Sequence, residues 1–496
     1  MSFVMLDQQL EYQPTVWQEE DLAYLLSKPY GANWSGMGCY KTTTALWFAE
    51  RYANQNSIEN PNVLIITTKS GKGTYRDAIP KSLKGWRTYN VTTKDAVILA
   101  PYGEELKVDL DHFLFDLRKR ERKIIVLTHY HCFMNNSVMA ALLDNAEFDV
   151  ILCDEAHRMK NRKTQWTRRI KKLTCPGAPQ IMTGTGFINY PDEMWSPINF
   201  LDSHRFGSYW AFRERYCLEE TYTGYRVVSG INPEHEQEFK NLRKELGPRR
   251  RLRDVRADIA EPLITTIDVD LNPTQRKMYK EIQRDLYTLD QAGTPIYSPN
   301  VLSQLNRLRQ ICVATPEKYG EYYDEKAQRR VQQIRLIEPS SKLDALMDIL
   351  EGLEWDNEER QQLVVFSNFK DPLELAKARF EKAGISYIHM TANDNDAVRY
   401  RKWHDDWPKK EHRVFLSTLQ LGSESINLSS AQYCVFLDKS WSPKDMTQGI
   451  ARLYRPGQTG QVQIIHINAV KTTDQKITNL LDLKGRWFHQ IFEEDE

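Results

Sequence analysis

The chain has 496 residues, and its 67 Lys and Arg balance 67 Asp and Glu, so its formal net charge is zero. At roughly 100–200 residues per domain, this length predicts about two to four domains. Hydrophobic residues make up 41% and charged residues 27% of the chain, which excludes bulk disorder and fibrous repeats. The zero net charge argues against a strong long-range attraction to nucleic acid but leaves local basic patches open.

The seven cysteines are odd in number and are never spaced as C-x-x-C. This usage argues against a disulfide framework and against a structural zinc site. The first residues lack the basic and apolar regions of a signal peptide, and no stretch approaches the ~18 consecutive apolar residues of a membrane span. We therefore expect a protein of a reducing, cytoplasmic compartment.

Short apolar runs separated by helical patterns predict two sheets. The runs of the first sheet are 63–68, 123–130, 148–156 and 180–185. The runs of the second sheet are 363–369, 385–391, 413–418, 433–438 and 462–470. Buried strands that alternate with helices form parallel sheets covered on both faces, so the predicted fold class is α/β with two lobes.

The stretch between the two sets of strands is charged, aromatic and mostly helical in period. The predicted division is an N-terminal lobe at 1–205, helical protrusions and a linker at 206–340, and a C-terminal lobe at 341–496.

The segment 34–46, WSGMGCYKTTTAL, predicts a phosphate-binding loop before a helix. Backbone N–H groups and the helix dipole would receive the β-phosphate, Lys41 would reach the β- and γ-phosphates, and the Thr42 hydroxyl would bind Mg²⁺. Ser35 and Tyr40 stand where the usual pattern has glycine, and a turn that caps an ordinary helix is the alternative interpretation. The candidate nucleotide-binding residues of the loop are Ser35, Gly36, Met37, Gly38, Cys39, Tyr40, Lys41 and Thr42.

A pair of carboxylates follows the apolar run of 148–156. In open parallel sheets, ligands bind outside the carboxyl ends of the strands. Asp154 could hold Mg²⁺ directly or through water, and Glu155 could orient or deprotonate an attacking water. A solvated surface pair is the alternative, but the position about 110 residues after the Lys-Thr loop favours the catalytic interpretation.

The segment 154–161, DEAHRMKN, resembles motif II of the helicase superfamily two ATPases, and more narrowly of the Swi/Snf-type DNA translocases. The segment 182–189 resembles motif III, although Gly186 and Ile188 replace the Pro and Gln of the family. The resemblance implies two RecA-like lobes with helical inserts between motifs III and IV. By this resemblance, three residues would couple hydrolysis to movement: His157, Thr183 and Thr185.

The second lobe also resembles this family. The similar segments are 363–371 for motif IV, 417–428 for motif V, 438–443 for the D-x-x-W-N-P element and 448–458 for motif VI. By this resemblance Gln448 contacts the nucleotide and the catalytic Arg452 and Arg455 stabilise the transferred phosphoryl group, an effect worth roughly 10³–10⁵ in rate. Ser425 stands where motif V usually has glycine, and two surface arginines are the alternative for motif VI.

The segment 16–26 resembles the adenine-recognising Q motif of the same family. The Gln18 amide can both donate to and accept from an adenine edge, and Trp17 could pack nearby. A glutamine exposed near the start of an amphipathic helix is the alternative.

Basic residues cluster at 158–177, with eight Lys or Arg and no acid, and at 240–256, with eight against two acids. Both segments could contact phosphates, or could form solvated helical faces. The family positions that would line a nucleic-acid track are Thr68, Ser70, Lys72, Tyr130, Ser367, Asn368, Thr418 and Trp441. Such groups hold phosphates without reading bases, so binding should depend strongly on salt and little on sequence.

The resemblance implies a monomeric, minimal motor of bacterial or phage type that uses ATP and Mg²⁺ to move along double-stranded DNA. Two alternatives stay open at this point. One is a helicase that separates strands or migrates branches, and the other is a non-catalytic nucleic-acid-binding scaffold with a degenerate ATP site.

Overall fold

The computed structural model describes residues 11–69, 71–92, 96–99, 105–108, 110–134, 146–184, 189–222, 225–298, 300–325, 328–353, 360–422 and 426–492. The chain divides into two compact units. The first contains residues 1–255 and 486–496, and the second contains 256–485. The boundary at 255/256 falls inside the predicted middle region 206–340, so that region is shared between the two units.

The first unit is built on an eight-stranded sheet with the order β1-β8-β7-β2-β6-β3-β4-β5. Neighbouring strands are parallel from β1 to β3, whereas β4 and β5 are added antiparallel at one edge. The strands are β1 (Gly31–Asn33), β2 (Asn62–Thr67), β3 (Arg87–Val91), β4 (Ala96–Leu99), β5 (Glu105–Val108), β6 (Ile124–His129), β7 (Val150–Asp154) and β8 (Ala178–Met182). The four predicted strands are β2, β6, β7 and β8, which lie side by side in the interior of the sheet.

Helices cover the sheet of the first unit. The helix Lys41–Gln55 buries Leu46 and Phe48 in an apolar cluster that also contains Ile65 of β2 and Leu127 of β6. The helices of this unit are Val16–Leu26, Lys41–Gln55, Gly71–Ser82, Leu110–Lys119, Gln165–Ile170, Trp195–Leu201, Tyr209–Tyr216, Glu236–Leu246 and Leu252–Val255, with a hairpin of β9 (Cys217–Tyr222) and β10 (Tyr225–Ile231).

The second unit is built on a six-stranded sheet with the order β11-β20-β19-β16-β18-β17, in which all neighbours are parallel. The strands are β11 (Leu263–Val269), β16 (Leu363–Ser367), β17 (Tyr387–Met390), β18 (Val414–Thr418), β19 (Tyr433–Phe436) and β20 (Gln463–Ala469). Alternate residues of β16 enter separate apolar clusters: Val364 and Phe366 join one, and Leu363 and Val365 join the other. Both faces of this sheet are therefore buried, and the predicted class of two α/β lobes is confirmed.

The helices of the second unit flank its sheet or lie in the insert that precedes it. They are Pro273–Asp285, Val301–Val313, Ser341–Gly352, Asp371–Ala383, Asp396–Tyr400, Leu419–Gly422, Pro443–Ile450 and Thr473–Phe492, whose last turns from Arg486 belong to the first unit. The insert also contains two hairpins, of β12 (Tyr287–Leu289) with β13 (Pro295–Tyr297) and of β14 (Thr315–Asp324) with β15 (Arg329–Ile337). The insert, predicted to be mostly helical, thus also contains strands that were not predicted. In the described part of the chain, no helix is long and apolar enough to cross a membrane.

Candidate nucleotide site and nucleic-acid surface

The predicted phosphate loop joins the end of β1 to the helix Lys41–Gln55. The Asn33 side-chain oxygen accepts a hydrogen bond from the Ser35 N–H at 3.0 Å, which fixes the start of the loop. The Lys41 ammonium donates to the carbonyl oxygens of Ser35 at 2.8 Å and Gly36 at 2.6 Å. Lys41 therefore lies across the loop, where phosphate oxygens could replace these two carbonyls.

Tyr40 has φ 51° and ψ 29°, in the left-handed region of the backbone. The family pattern has glycine at this position because a residue without a Cβ adopts this conformation freely. A bulky residue does so at roughly 1–2 kcal/mol. The loop thus keeps the left-handed backbone conformation at this position, although the Tyr40 side chain makes that conformation less stable than glycine would.

Asp154 is the last residue of β7 and lies on the same carboxyl edge of the sheet as the loop. Its carboxylate accepts hydrogen bonds from the Thr67 hydroxyl and from the Glu155 N–H, both at 2.9 Å. Desolvation, followed by the neighbouring Glu155 carboxylate, raises the pKa of Asp154 to about 6, although Lys41 opposes this shift. Two adjacent carboxylates near one ammonium, with the Thr42 hydroxyl at the helix start, form an oxygen-donor set that fits Mg²⁺.

His157 connects motif II to motif III. Its Nδ1 lies 3.0 Å from a Glu155 carboxylate oxygen and 3.0 Å from the Thr183 hydroxyl. The side chains of His157 and Thr183 are both buried, and the Thr183 N–H donates to the Asn33 carbonyl at 3.0 Å. The carboxylate expected to act on water is therefore linked, through two side chains and one backbone bond, to the strand that enters the phosphate loop. Thr185 lies outside the described residues, as do Gly186, Ile188 and Ser425.

Gln18 occupies the predicted Q-motif position, but both ends of its amide are bound within the protein. Its oxygen accepts from the Thr15 N–H and hydroxyl, each at 3.1 Å. Its nitrogen donates to the hydroxyls of Thr43 at 3.2 Å and Thr44 at 3.0 Å. Gln18 is only 2% exposed and holds the helix Val16–Leu26 against the first turn of the phosphate-loop helix.

Two residues of the predicted nucleic-acid track, Tyr130 and Ser367, have buried side chains whose hydroxyls bind groups of the protein itself. Tyr130 is 1% exposed and its hydroxyl donates to the Asp154 carbonyl at 2.7 Å. Ser367 is fully buried and its hydroxyl donates to the Asp438 carboxylate at 2.6 Å. Both residues thus support motif loops from inside. Sequence reasoning assigned no role to Asp438, although it stands first in the D-x-x-W-N-P element.

The other predicted track residues differ in exposure. Asn368, Thr418 and Trp441 are partly exposed, and Asn368 donates through its side chain to Asp438 at 2.6 Å. Thr68 is also partly exposed, and its hydroxyl caps the helix Gly71–Ser82 by accepting from the Gly71 N–H at 2.9 Å. Lys72 is 9% exposed, with its ammonium 3.3 Å from the Val91 carbonyl, and Ser70 lies outside the described residues.

The basic segment 158–177 is divided between internal and exposed cations. Lys160 pairs with Glu193 at 2.9 Å, Arg169 donates to the Phe133 carbonyl at 3.0 Å, and Lys171 donates to the Asn199 side chain at 2.7 Å. Burial lowers the pKa of Lys171 to about 8. The exposed cations of this segment are Arg158, Lys163, Arg168 and Lys172. Only this second group remains a candidate for phosphate contacts.

The basic segment 240–256, for which phosphate contacts and a solvated helical face were both open, supports the phosphate loop through part of its length. Its extended part runs along the outer edge of β1, where the Trp34 N–H donates to the Pro248 carbonyl at 2.9 Å and the Gly36 N–H donates to the Arg250 carbonyl at 2.8 Å. The Arg250 guanidinium donates to Asp21, which is 1% exposed, at 2.8 and 3.0 Å. Arg250 and the backbone of 248–250 therefore hold the start of the phosphate loop in place.

The end of the C-terminal helix packs against Trp34, the residue directly after β1. The ring of Phe492 meets the ring of the fully buried Trp34 edge to face, with 5.6 Å between centroids. The guanidinium of Arg249 lies over Phe488 at 5.1 Å and donates to the Trp34 carbonyl at 3.0 Å. The base of the phosphate loop is therefore enclosed by segments more than 200 residues away in sequence.

In the second unit the predicted motif VI follows the helix Pro443–Ile450, which contains the largely buried Gln448. Arg452 and Arg455 lie in the turns directly after this helix and are both partly buried. Arg455 donates to the Ile426 carbonyl at 2.8 Å, and burial lowers its pKa. Both candidate arginines thus lie in the turns after the helix, and neither is fully exposed.

Comparison with known protein families gives two matches. A SNF2-related domain matches residues 40–316, and a helicase conserved C-terminal domain matches residues 341–457. The first match begins at Tyr40, within the phosphate loop, and the two matches include Lys41, both carboxylates and the two arginines of motif VI.

Relatives with names include chromatin-remodelling proteins and a bacterial helicase. Protein CHROMATIN REMODELING 5 of Arabidopsis thaliana is 24% identical over 71% of this chain and 20% of its own length. Chromodomain-helicase-DNA-binding protein 7 of Homo sapiens is 25% identical over 69% of this chain and 11% of its own length. An uncharacterized ATP-dependent helicase of Mycoplasma pneumoniae is 24% identical over 71% of this chain and 32% of its own length. The matched region therefore spans less than a third of each of these relatives.

Among solved structures, the Sulfolobus solfataricus SWI2/SNF2 ATPase core in complex with dsDNA aligns with 100% of this chain and 96% of its own, at 20% identity and a TM-score of 0.41. The family assignment does not depend on this alignment. Because the SNF2-related domain alone matches more than half of the sequence, the chain belongs to the SNF2-related family of helicase-like ATPases.

Proposed function

We propose that this chain is a DNA-stimulated ATPase that moves along double-stranded DNA without reading its sequence. The observation that carries the proposal is the connected site of the first unit. Lys41 and Asp154 follow β1 and β7, and the Glu155–His157–Thr183 contacts join motif II to the strand β8 between them. Such a connection lets the state of the nucleotide act on the backbone around it.

The residues of the site have separable tasks in hydrolysis. Lys41 exchanges the carbonyls of Ser35 and Gly36 for phosphate oxygens, and Glu155 orients or deprotonates the attacking water. Mg²⁺ held by Asp154 and Thr42 would neutralise the charge that develops on the phosphates. By family resemblance, Arg452 and Arg455 would add positive charge at the γ-phosphate, so that binding and hydrolysis close and open the lobes.

Duplex DNA is the proposed track. The cations that support this are the exposed Arg158, Lys163, Arg168 and Lys172 of the first unit. Cations and amides bind phosphate oxygens, which carry no sequence information. The names of the relatives, which refer to chromatin remodelling and to an ATP-dependent helicase, agree with a nucleic-acid substrate.

The test is the rate of ATP hydrolysis without nucleic acid and with single-stranded DNA, duplex DNA, forked DNA and RNA. We expect the highest rate with duplex DNA. Lys41→Ala should abolish turnover, and Glu155→Gln should abolish turnover while ATP still binds. Lys84→Ala, which removes an exposed lysine outside the site, is the matched control and should keep the wild-type rate.

The remaining outcomes separate the alternatives. Stimulation by forked or tailed DNA alone would favour a strand-separating or branch-migrating helicase. ATP binding without turnover would favour a scaffold with a degenerate site, for which Ser35 and Tyr40 are the sequence evidence. Absence of both binding and turnover in the folded protein would reject the ATPase proposal.

A further inference from the structure

Two aromatic rings lie together beside the phosphate loop. The ring centroids of Trp17 and Tyr40 are 6.1 Å apart, and the ring planes are tilted by 41°. Trp17 lies in the first turn of the helix Val16–Leu26 and is partly buried, whereas Tyr40 directly precedes Lys41 and is 41% exposed. An aromatic surface is therefore open to solvent next to the N–H groups that would receive the phosphates.

Tyr40 adopts a backbone conformation that disfavours any residue with a large side chain. Its φ of 51° lies in the left-handed region, where the family pattern has glycine. Strained residues of this kind concentrate at ligand sites, where the surrounding structure retains them for a function. The side chain of Tyr40 is therefore a candidate for a ligand contact in its own right.

The Gln18 amide does not offer the base-reading edge that the Q-motif resemblance implies. Its oxygen and nitrogen already make four hydrogen bonds to Thr15, Thr43 and Thr44. These bonds fix the helix Val16–Leu26 against the loop helix, and so they hold Trp17 beside Tyr40. The amide positions an aromatic surface, while the surface itself faces outward.

We propose that Trp17 and Tyr40 form the surface on which the nucleotide base stacks, so that this chain recognises its nucleotide by stacking rather than by edge hydrogen bonds. The proposal rests on the ATP site proposed above and adds its specificity. Every base has a π face, so stacking tolerates different bases, and losing an aromatic partner weakens binding roughly 5- to 150-fold per base. ATP and GTP should bind with affinities within about tenfold of each other.

The test measures binding of non-hydrolysable ATP and GTP analogues and of inorganic tripolyphosphate by titration calorimetry. Tyr40→Gly removes the ring and also relieves the backbone, so it should fold at least as stably as wild type while binding ATP roughly 5- to 150-fold more weakly. Its affinity for tripolyphosphate should not change. Tyr40→Phe keeps the ring and should bind ATP as wild type does, and Phe115→Ala, at a 52% exposed aromatic residue elsewhere, should do the same. Trp17→Ala should resemble Tyr40→Gly.

Unchanged ATP affinity in Tyr40→Gly, or a wild-type preference of a hundredfold or more for ATP over GTP, would overturn the stacking proposal. These results leave the ATP site intact, because wild type would still bind both ATP and tripolyphosphate. Failure of wild type to bind either ligand would instead reject the ATP site itself. A loss of both ligands in Tyr40→Gly would mean that Tyr40 shapes the loop, and this too would overturn the stacking role.

Discussion

At the scale of single residues, the position of the Glu155 carboxylate depends on one side chain, that of His157. One ring nitrogen lies 3.0 Å from both Glu155 and Thr183, and the ring is 2% exposed. A buried ring in this position fixes the direction of the Glu155 carboxylate. It also connects that carboxylate to the segment that contacts the phosphate loop.

We therefore predict that His157→Ala lowers the rate of DNA-stimulated hydrolysis by about 10- to 100-fold, the usual effect of removing a partner that orients a catalytic group. ATP binding should change little, because His157 does not belong to the loop. Thr183→Val should lower the rate in the same way, and Thr183→Ser, which keeps the hydroxyl, should preserve it. Steady-state kinetics and nucleotide titration measure the two effects separately, and an equal loss of affinity and rate would contradict a role in orientation.

The sequence located the residues whose roles follow from motif position, such as Lys41, Asp154 and Glu155. It could not locate residues whose roles depend on a distant partner. The hydroxyls of Tyr130 and Ser367 were expected to face nucleic acid, but they bind the Asp154 carbonyl and the Asp438 carboxylate inside the protein. A hydroxyl donates to whichever acceptor the tertiary fold brings near it, and the local sequence does not show which acceptor that is.

At the scale of elements, the phosphate loop depends on a strand of only three residues. Strand β1 lies at an edge of the sheet, and residues 248–250 accept hydrogen bonds from the Trp34 and Gly36 N–H groups directly after it. Arg250 fixes this segment by its bonds to the buried Asp21, and the ring of Phe492 packs on Trp34 at the start of the loop. The segment and the terminal helix thus provide the support that a longer strand would otherwise give.

Arg250→Ala should destabilise the first unit by about 2–3 kcal/mol, because it leaves the Asp21 carboxylate buried without its cation. Arg253→Ala, in the same basic segment but 41% exposed in its side chain, should cost less than about 0.5 kcal/mol. Urea denaturation gives the two free energies. Hydrogen exchange at the Trp34 and Gly36 amides should quicken only in Arg250→Ala. Equal effects of the two substitutions would contradict the supporting role of the segment.

The elements that the sequence predicted are strands with apolar runs, namely β2, β6, β7 and β8 of the first sheet and β16 to β20 of the second. Strand β1 was missed because Gly31–Asn33 has neither the length nor the apolar pattern of a strand. The hairpin of β14 and β15 was missed because its strands are rich in charged and polar residues and mostly only partly buried, so that period and hydrophobicity give little signal. Cross-strand pairing, not local composition, determines these elements.

At the scale of the whole molecule, the zero net charge combines cations with different tasks. Arg249 and Arg250 hold the phosphate loop, while Arg253 and part of 158–177 remain at the surface. Composition could not distinguish the internal cations from those at the surface, because both kinds lie in segments rich in Lys and Arg. The proposed binding of DNA therefore requires no positive net charge, and the affinity should fall steeply as salt increases in a binding titration.

The most direct test of the proposed motor is displacement of a third strand from a duplex. A triplex-forming oligonucleotide is placed at increasing distances from the end of a linear duplex, and its release is followed after ATP is added. We predict release that requires ATP hydrolysis, is absent in Glu155→Gln, and shows a lag that lengthens with distance, without separation of the duplex strands. ATP hydrolysis on bound duplex DNA without any release of the third strand would contradict translocation.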